Sequence, residues 1–544
     1  MTVFAKLALG DLQEQVGGEL LGELEELLPL ISPELNLDNL YSSKKLLEKI
    51  LISFGGIDRL ANTDFRAHLL DRLSPKEIDE LTSELGLPSS SDFKTKVDSI
   101  VRLGWRNPEV TETVLGALGF DPELAPRPKA HTPALTSLPA AAKPYRQLKD
   151  YQFELLCEAS KRLRVPFSRF VVQMPTGAGK TRTAIELVCG ELNEQEQTVI
   201  WLAHSEELCD QAVQTFLDVW EHVGRVPVDL VRLYGSTDAA FNWSSNHVFM
   251  VASFQRLYSL LQNNTLTKLA SKSPSIGLVI VDEAHKVIAP TYKRVTKALL
   301  GDSTRCIGLT ATPGRSAINL DENKELADFF FEKIVTFDSR GQAPIQYLRD
   351  KGILAEAKYE PLVTSLNFDL SERERKYLED FFDFPPGLLK RMGANSTRNA
   401  EIVKRIQTET EKDSAILFFG CNVTHSKFIC STLNFLGITA AHVDGTTPRE
   451  RRSHLIESYR RGDVQVLCNF GVLATGFDAP RTDVVFISRP TASVVLYSQM
   501  IGRGLRGPAV GGTERCKIID VKDNIAGFSD QNSVYSYFSD YWLN

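Results

Sequence analysis

A short glycine-rich segment carries the clearest chemistry in the sequence. Residues 173–181 read Gln-Met-Pro-Thr-Gly-Ala-Gly-Lys-Thr, and they stand between the apolar run 170–172 and a stretch of helical pattern that begins at Arg182. Glycines allow backbone N–H groups to point inward around an anion, and the N-terminus of a following helix adds positive potential. We therefore predict a phosphate site in which Lys180 reaches the β- and γ-phosphates of a nucleoside triphosphate and Thr181 ligates Mg²⁺.

Two carboxylates follow another apolar run, about 100 residues later. Asp282 and Glu283 come directly after residues 278–281, Leu-Val-Ile-Val. An acidic pair is most often a solvated feature of the surface, but this one ends a strand of the buried type downstream of the phosphate segment. We predict that Asp282 holds Mg²⁺ through water and that Glu283 polarises the water that attacks the γ-phosphate.

A third chemical group stands near the end of the sequence. Residues 497–506 read Tyr-Ser-Gln-Met-Ile-Gly-Arg-Gly-Leu-Arg, so Arg503 and Arg506 are three positions apart. We expect them on one face of a helix, where two guanidinium groups can neutralise the charge that develops on a γ-phosphate. They would do so only when the part of the molecule that carries them closes on the phosphate site. An exposed basic turn is the alternative interpretation.

Two series of strands must position these groups. Beyond Tyr145, short apolar and β-branched runs alternate with stretches of helical pattern. Such alternation, with strands that are almost purely apolar, predicts parallel sheets covered by helices on both faces. The predicted strands are residues 170–172, 198–201, 248–252, 278–281 and 306–309 in the first series, and 415–419, 439–443, 464–467, 484–487 and 516–520 in the second. We therefore predict two tandem α/β lobes, at 145–345 and 346–544, with a helical insertion at about 361–413.

The sequence before Tyr145 has a different character. Residues 1–120 repeat apolar side chains at helical spacing and predict a small all-helical domain. Residues 1–140 contain 14 Lys and Arg against 22 Asp and Glu, a net charge of −8. Packing with a solvated outer face is the simpler interpretation of these acidic helices, and a surface for a protein partner is the alternative. Residues 121–144 are rich in Pro and Ala and predict an extended, semi-rigid linker rather than a packed element.

Composition limits the class of protein. The 544 residues are 43% hydrophobic and 24% charged, as in ordinary globular proteins. The net charge of −7 lacks the basic excess common in proteins that bind nucleic acid, so such binding would need a local positive stripe. The eight cysteines are widely spaced and indicate neither a zinc finger nor a disulfide framework. No run reaches the roughly 18 apolar residues of a membrane-spanning helix, so we expect a cytoplasmic protein without a membrane partner.

Taken in order, the motifs resemble those of the superfamily-two helicases and translocases over about residues 143–525. Residues 148–152, Leu-Lys-Asp-Tyr-Gln, are similar to the family's adenine-reading segment. Residues 308–313, Gly-Leu-Thr-Ala-Thr-Pro, are similar to the segment that couples hydrolysis to movement. Further similar segments are 203–208 and 251–257, which in the family touch a nucleic-acid backbone, and 469–480 and 497–506, which resemble its last two motifs.

The resemblance implies two RecA-like lobes with ATP and Mg²⁺ between them. The implied nucleotide contacts are Gln152, Thr176, Gly177, Ala178, Gly179, Lys180, Thr181, Arg182, Gly476 and Asp478, with Thr181 and Asp282 at the metal. The implied catalytic residues are Lys180, Asp282, Glu283, His285, Gln499, Arg503 and Arg506, with Gln499 facing His285 and Arg506 as the finger. The implied nucleic-acid contacts are His204, Ser253, Gln255 and Thr475. For Ser253 and Gln255, capping of a helix or strand end is the alternative interpretation.

Within the superfamily, the sequence looks closest to RadD-like DNA-repair ATPases and the motor part of type I and type III restriction subunits. Residues 473–480, 489–493 and 499–506 carry this resemblance. It implies an ATP-dependent DNA helicase or translocase with 3′ to 5′ tracking, in DNA repair, restriction or phage defence. The N-terminal helical domain would serve regulation or the docking of a partner. The alternatives are a non-unwinding, ATP-gated clamp or recruitment subunit of a multi-protein complex, and an RNA helicase.

Overall fold

The computed structural model contains a helical N-terminal domain followed by two α/β lobes. Among the residues that it describes, no helix is both long enough and apolar enough to cross a membrane. The described residues are 3–31, 43–55, 60, 62–88, 90–105, 107–120, 122, 125, 135–138, 147–235, 244–263, 275–314, 320–364, 366, 368, 370–381, 384–473, 481–491 and 493–522.

Short helices form the N-terminal domain. They are a 3₁₀-helix at Val3–Lys6, α1 (Leu9–Val16), α2 (Gly18–Ile31), α3 (Lys44–Ile50), a π-helix at Leu51–Gly55, α4 (Thr63–Leu70), α5 (Pro75–Glu84), α6 (Phe93–Arg102) and α7 (Pro108–Ala117). Polar caps set where several begin. At the start of α5 the Ser74 hydroxyl accepts a hydrogen bond from the Glu77 amide, and the Glu77 carboxylate accepts one from the Ser74 amide. This reciprocal pair satisfies two amides that the helix start would otherwise leave unpaired.

The first lobe is built on one eight-stranded sheet. Its strands are β1 (Leu135–Leu138), β2 (Arg169–Gln173), β3 (Thr198–Ala203), β4 (Val228–Leu233), β5 (Val248–Ser253), β6 (Ile276–Asp282), β7 (Arg305–Thr310) and β8 (Ile334–Val335). Its helices are α8 (Asp150–Leu163), α9 (Lys180–Glu194), α10 (Glu206–Val223), α11 (Phe254–Gln262), a 3₁₀-helix at Ala284–Lys286, α12 (Pro290–Leu299), α13 (Leu320–Phe329) and α14 (Pro344–Asp350). The strand order is β1-β4-β5-β3-β6-β7-β2-β8, and every pairing is parallel except that of β1 with β4.

The second lobe has a six-stranded sheet that is parallel throughout its described strands. These are β9 (Glu356–Val363), β10 (Ile416–Phe419), β11 (Ala440–Val443), β12 (Val466–Asn469), β13 (Val484–Ile487) and β14 (Arg515–Lys522), in the order β11-β12-β10-β13-β14-β9. The helices are α15 (Glu372–Phe381), α16 (Pro386–Gly393), α17 (Ser396–Thr410), α18 (Val423–Phe435), α19 (Arg449–Arg461), α20 (Val494–Ile501) and a 3₁₀-helix at Pro508–Val510.

Both sheets bury apolar side chains on their two faces, as the apolar strands predict. In the first lobe, Phe170 and Trp201 belong to one core, while their neighbours Val171 and Ile200 belong to the core on the opposite face. Successive side chains of a strand point to opposite faces of a sheet, so a strand buried on both sides has no polar alternation. The predicted fold class, two parallel-sheet lobes after a helical domain, is confirmed. All ten predicted strands overlap observed strands.

Four observed strands escaped the sequence prediction, namely β1, β4, β8 and β9. Strand β4 reads Val-Asp-Leu-Val-Arg-Leu, and its polar residues Asp229 and Arg232 are nevertheless buried. The Asp229 carboxylate accepts hydrogen bonds from the amides of Ser244 and Ser245 at 2.6 and 3.0 Å. These hydrogen bonds offset the cost of burying the charge. An apolar sequence pattern cannot predict them.

The linker prediction is wrong at one place. Residues 135–138, inside the predicted spacer 121–144, form β1 and pair antiparallel with β4 at the edge of the first-lobe sheet. The stretch reads Leu-Thr-Ser-Leu between Pro133 and Pro139, so it keeps the backbone N–H groups that a strand pairing requires. At this point the predicted linker is therefore a strand of the first-lobe sheet.

The chain crosses from the first lobe to the second at residues 352–355, which we call the connector. Helix α14 and Leu354 pack into the first-lobe core, whereas Ala355 belongs to the second-lobe core. The sequence prediction began the second lobe at residue 346, within α14. Strand β9 extends to Val363 and so occupies the first residues of the predicted helical insertion 361–413. Helices α15, α16 and α17 occupy much of the remainder.

The N-terminal domain and the second lobe share a hydrophobic interior. Helix α2 packs along α17, where Leu27 and Ile31 are buried together with Ile402. The π-helix packs on α18, and the rings of Phe54 and Phe428 lie 5.8 Å apart. The N-terminal domain thus packs against α17 and α18 of the second lobe. Packing explains these faces of its helices, and a protein partner for the domain stays a prediction.

Replacement of Leu27 by Ala should therefore loosen the second lobe as well as the N-terminal domain. The Leu27 side chain is fully buried, so its truncation should cost about 2–5 kcal/mol. We expect faster amide hydrogen exchange in α17. The matched control is Leu24→Ala, equally buried but in the cluster that includes Phe435 of α18 and no residue of α17. Its effect on α17 should be smaller, and equal exchange in α17 of both variants would contradict the shared interior.

Candidate active site

The glycine-rich segment forms a loop at the carboxyl end of β2, and we call residues 174–179 the phosphate loop. Gly177 and Gly179 have φ angles of +88° and +85°, a left-handed conformation that side chains disfavour. A Cβ atom on Gly179 would lie 2.3 Å from Nε2 of Gln152. Glycine is required here for both reasons. Helix α9 begins at Lys180, so its positive N-terminus faces the loop.

A buried ion pair joins the loop to the end of β6. Nζ of Lys180 lies 3.1 Å from Oε1 of Glu283 and 3.7 Å from Oδ1 of Asp282. Burial alone would lower the pKa of Lys180, but the charges of the two carboxylates outweigh it and raise that pKa. Burial raises the pKa of Asp282, and Glu283 adds to the effect. For Glu283, the opposite charge of Lys180 overcomes burial and lowers the pKa. The site therefore holds one firmly ionised carboxylate beside an ammonium group.

Glu283 is held in an unusual backbone conformation. Its φ of +51° and ψ of +56° are left-handed, and a 3₁₀-helix at Ala284–Lys286 follows at once. The turn places the buried His285 with Nδ1 3.4 Å from Oε2 of Glu283 and 3.3 Å from Oγ1 of Thr310. Such conformations typically cost about 1–3 kcal/mol and persist where surrounding packing enforces them.

Several buried nitrogen atoms lack hydrogen bonds within the described part of the chain. They include Nε2 of His285 and Nε2 of Gln499, the pair expected to face each other. Burial lowers the pKa of His285 to about 3, against the opposing pull of Glu283, so the imidazole is neutral near pH 7. An unsatisfied buried polar atom is costly, which makes both nitrogens candidates for a bond to a bound ligand or water.

The arginines lie outside the helix that was predicted for them, so that prediction is wrong. Helix α20 ends at Ile501, and Arg503 and Arg506 follow it in a turn and an extended stretch. Glycines explain the break. A Cβ on Gly502 would lie 2.4 Å from Cγ2 of Thr176, and one on Gly504 would lie 2.3 Å from Sγ of Cys516. The backbone after α20 therefore packs closely against both lobes.

The two arginines reach different parts of the cleft. The charge of Arg503 acts on Lys180, whereas that of Arg506 acts on Tyr151. Thr176 of the phosphate loop touches Gly502 of the second lobe, so the loop lies at the boundary between lobes. Arg503 and Arg506 of the second lobe are thus brought close to the phosphate loop and its neighbours in the first lobe. Thr475, Gly476 and Asp478 lie outside the described residues.

The predicted adenine-reading residue is engaged with the protein itself. Oε1 of Gln152 accepts a hydrogen bond from the Lys149 amide at 3.1 Å, and Nε2 donates to the Ala178 carbonyl at 3.3 Å. Sequence reasoning missed its neighbour Tyr151, whose hydroxyl donates to the same carbonyl at 2.8 Å. The tyrosine is 3% exposed. A buried tyrosine hydroxyl usually has a hydrogen-bond partner. In the sequence, only the position of Tyr151 next to Gln152 pointed to a role for it.

The predicted nucleic-acid residues of the first lobe gather in one cavity. His204, Ser253 and Gln255 line a space of about 400 Å³ at the carboxyl ends of β3 and β5. The Ser253 hydroxyl accepts a hydrogen bond from the Arg256 amide and so caps α11. Nε2 of Gln255 donates to the His204 carbonyl at 3.1 Å. The capping alternative is thus observed for Ser253, within a cavity that it also lines.

An interlobe ion pair stands beside this cavity. Arg452 of α19 pairs with Glu207 of α10, and its guanidinium also donates to the Thr447 carbonyl at 3.1 Å. The adjacent Glu206 lines the cavity, and its charge acts on Arg452. The two lobes therefore contact each other at the phosphate loop and again beside the cavity.

Replacement of Gly179 by Ala should weaken triphosphate binding without unfolding the lobe. The left-handed φ alone costs an L-residue about 1–3 kcal/mol, and the new methyl group would displace Gln152. We expect a loss of roughly tenfold or more in the affinity for a fluorescent nucleoside triphosphate. Gly190→Ala is the control, since nothing lies within 4 Å of a Cβ at this position of α9. Equal affinity of the two variants would contradict the proposed cradle.

Comparison with known proteins identifies both lobes. Residues 146–315 match the family of the type III restriction enzyme res subunit, and residues 398–507 match the helicase conserved C-terminal domain. IRC3 of Saccharomyces cerevisiae, named as a candidate ATP-dependent helicase, is 26% identical over 388 residues, covering 69% of this chain and 51% of that protein. A 51.5 kDa protein of a Lactococcus phage is 27% identical over 336 residues, 62% of each chain.

A third relative is the ATP-dependent DNA helicase Hel308 of Pyrococcus abyssi. It is 24% identical over 363 residues, which cover 62% of this chain and 46% of that protein. The chain spans about half to three fifths of the length of the first relatives that it matches. With a res-subunit match in the first lobe and a helicase C-terminal match in the second, the chain belongs to the superfamily-two helicases, related to the motors of restriction enzymes.

Proposed function

We propose that this chain is an ATP-dependent DNA helicase or translocase that acts in the cytoplasm in DNA repair, restriction or phage defence. The observation that carries the proposal is the buried contact of Lys180 with Glu283 and Asp282 at the phosphate loop. The second lobe meets the phosphate loop beside this contact, where a Cβ on Gly502 would lie 2.4 Å from Cγ2 of Thr176. The eight cysteines are free thiols, which fits a reducing compartment.

The chemistry of the site fits a triphosphate with Mg²⁺. The left-handed glycines shape the loop in front of the N-terminus of α9, and Lys180 supplies a buried cation that an anion can approach. Thr181 and Asp282 would hold Mg²⁺, which when bound neutralises charge on the β- and γ-phosphates. The residues Gln152, Thr176, Gly177, Ala178, Gly179 and Arg182 would surround the nucleotide, with Gly476 and Asp478 from the second lobe.

The ion pair also explains how a nucleotide would prepare the base. A γ-phosphate offers Lys180 a competing anion, so its Nζ would leave Oε1 of Glu283. Loss of this partner would let burial raise the pKa of Glu283, because the charge of Lys180 is what opposes burial there. Glu283 would then be a better proton acceptor, free to orient a water molecule and accept its proton. Nε2 of His285 and of Gln499 would find partners in the filled cleft. Each of these steps uses a group that is already buried at the site.

The second lobe would supply the remaining positive charge. Arg506 is proposed as the arginine finger, with Arg503 beside it toward Lys180. Both follow α20 on backbone that packs against the phosphate loop. An arginine finger is worth about 10³–10⁵ in rate, so hydrolysis would depend on how the lobes meet.

DNA is the proposed track. Hel308 is named a DNA helicase, and the first lobe matches the res subunit of type III restriction enzymes. We propose that this chain shares DNA as a substrate with these proteins. His204, Ser253 and Gln255 would contact the backbone, with Thr475 from the second lobe. Contacts to phosphate and sugar position a strand but do not specify its sequence. An RNA helicase and a non-unwinding clamp, with a partner on the N-terminal domain, are the alternatives.

ATPase rates of the purified chain test the proposal. We expect stimulation by single-stranded or duplex DNA more than by RNA, and a loss of at least about 100-fold in Lys180→Ala and Glu283→Gln. Lys161→Ala, a lysine whose side chain is 73% exposed in the same lobe, is the control. Strand displacement on a tailed duplex separates the helicase from the clamp. Wild-type turnover in Lys180→Ala would rule out the assignment, and stimulation by RNA alone would favour the RNA helicase.

Arg506→Ala should lower kcat far more than ATP affinity. A finger acts on charge that appears only in the transition state, so the expected loss in kcat is about 10³-fold or more. Arg515→Ala is the matched control, because its side chain is 77% exposed and pairs with Glu356 on the surface. Steady-state ATPase and equilibrium nucleotide binding give the two numbers. Parallel losses in both would place Arg506 in ground-state binding instead.

A further inference from the structure

We propose that Leu354 is a positioning residue that couples the phosphate loop to the backbone carrying Arg506. This inference rests on the proposed function. It concerns a side chain in the connector between the lobes, where neither charge nor hydrogen-bonding chemistry marks a role. The coupling is a packing contact on one side and a backbone pairing on the other.

The backbone pairing holds the connector against residues 505–509. The Ala355 amide donates to the Leu505 carbonyl at 3.1 Å, and the Gly507 amide donates to the Ile353 carbonyl at 2.9 Å. Leu354 and Arg506 form an antiparallel bridge between these bonds. The backbone of Arg506 is thus bonded to the connector and would move with it.

The packing contact joins Leu354 to the phosphate loop. A Cβ atom on Gly177 would lie 3.2 Å from Cδ2 of Leu354 and 3.8 Å from the Leu505 carbonyl oxygen. Gly177 therefore has its open side filled by the connector and the backbone next to Arg506. Leu354 is 2% exposed and belongs to the first-lobe core, so its side chain has little space to move aside.

The first lobe fixes the other side of the loop. Tyr151 and Gln152 both donate to the Ala178 carbonyl, at 2.8 and 3.3 Å. The ring of Tyr151 packs against Phe337, with centroids 5.5 Å apart. With Ala178 anchored, a nucleotide that displaces the loop must move Gly177, which meets Leu354.

These contacts form one chain of displacement. Protein interiors are close-packed, so a shift of a few tenths of an ångström at one buried group is passed to its neighbour. A triphosphate that moves Gly177 would shift Leu354, and the bridge would carry Arg506 with it. Binding of a triphosphate at the phosphate loop would in this way shift Arg506 before the lobes complete their closure. The link depends on the size of the residue at position 354.

The test compares Leu354→Ala with Leu354→Met, using the full chain. In Leu354→Ala we expect kcat for DNA-stimulated ATPase to fall on the order of 10- to 100-fold, as for a misplaced catalytic group, with KM for ATP changed less than about threefold. Leu354→Met, which keeps a long apolar side chain, should restore most of kcat. A non-hydrolysable ATP analogue should also shift DNA affinity less in Leu354→Ala than in the wild type.

Leu192→Ala is the matched control. Leu192 is fully buried in the same core, 12 residues along α9 from Lys180 and so about 18 Å away. It should lose stability without the selective loss of kcat. If Leu354→Ala does not fold, Leu354→Val removes the Cδ2 contact with a smaller change in volume, and the same loss of kcat is expected.

The outcomes separate the two proposals. Equal effects of Leu354→Ala and Leu192→Ala, or parallel changes of kcat and KM, would overturn the coupling role. An unchanged kcat in Leu354→Val alongside an unfolded Leu354→Ala would overturn it as well. A wild-type chain without ATPase activity would instead overturn the proposed function, and the inference with it.

Discussion

A buried ammonium group must have an anion beside it, and this constraint organises the nucleotide cleft. Transfer of an isolated charge into a protein interior costs several kcal/mol even after relaxation. Lys180 meets the requirement with Asp282 and Glu283 at the end of β6, which lies two strands from β2 in the sheet. The two carboxylates are 102 and 103 positions after Lys180 in the sequence. The site is thus folded around the charge that a phosphate would use. An incoming anion would therefore find a buried cation already in place.

Close approach of backbones is the second constraint on the cleft. Gly502 lies where a side chain would collide with Thr176 of the first lobe, and Gly504 lies where one would collide with Cys516 in the core of the second lobe. Main chain can then pass close to these side chains, and Arg503 and Arg506 lie in the irregular stretch that makes such contacts. Packing against the connector and the phosphate loop consequently sets the positions of Arg503 and Arg506, which lie beyond the end of α20.

The sequence was sufficient for the parts whose signal is local. Apolar runs predicted ten strands, and the glycines, Lys180 and the carboxylates after β6 were predicted as one site and lie together. Features set by tertiary contacts were not accessible. The end of α20 depends on Thr176, which is more than 300 residues away, and the sequence pattern alone favoured a longer helix. The role of Tyr151 depends on a carbonyl that no pattern identifies.

The course of the chain gives the N-terminal domain a mechanical place in the molecule. The domain shares its interior with the second lobe, yet the next described stretch, β1, is part of the first-lobe sheet. Nine residues, 126–134, separate the two attachments. The ten Cα–Cα steps from Ala125 to Leu135 span at most about 35 Å when fully extended. The lobes are therefore joined twice, by the connector and by this stretch. A movement of the second lobe carries the N-terminal domain with it, and the reach of the stretch limits how far the lobes can separate at that side.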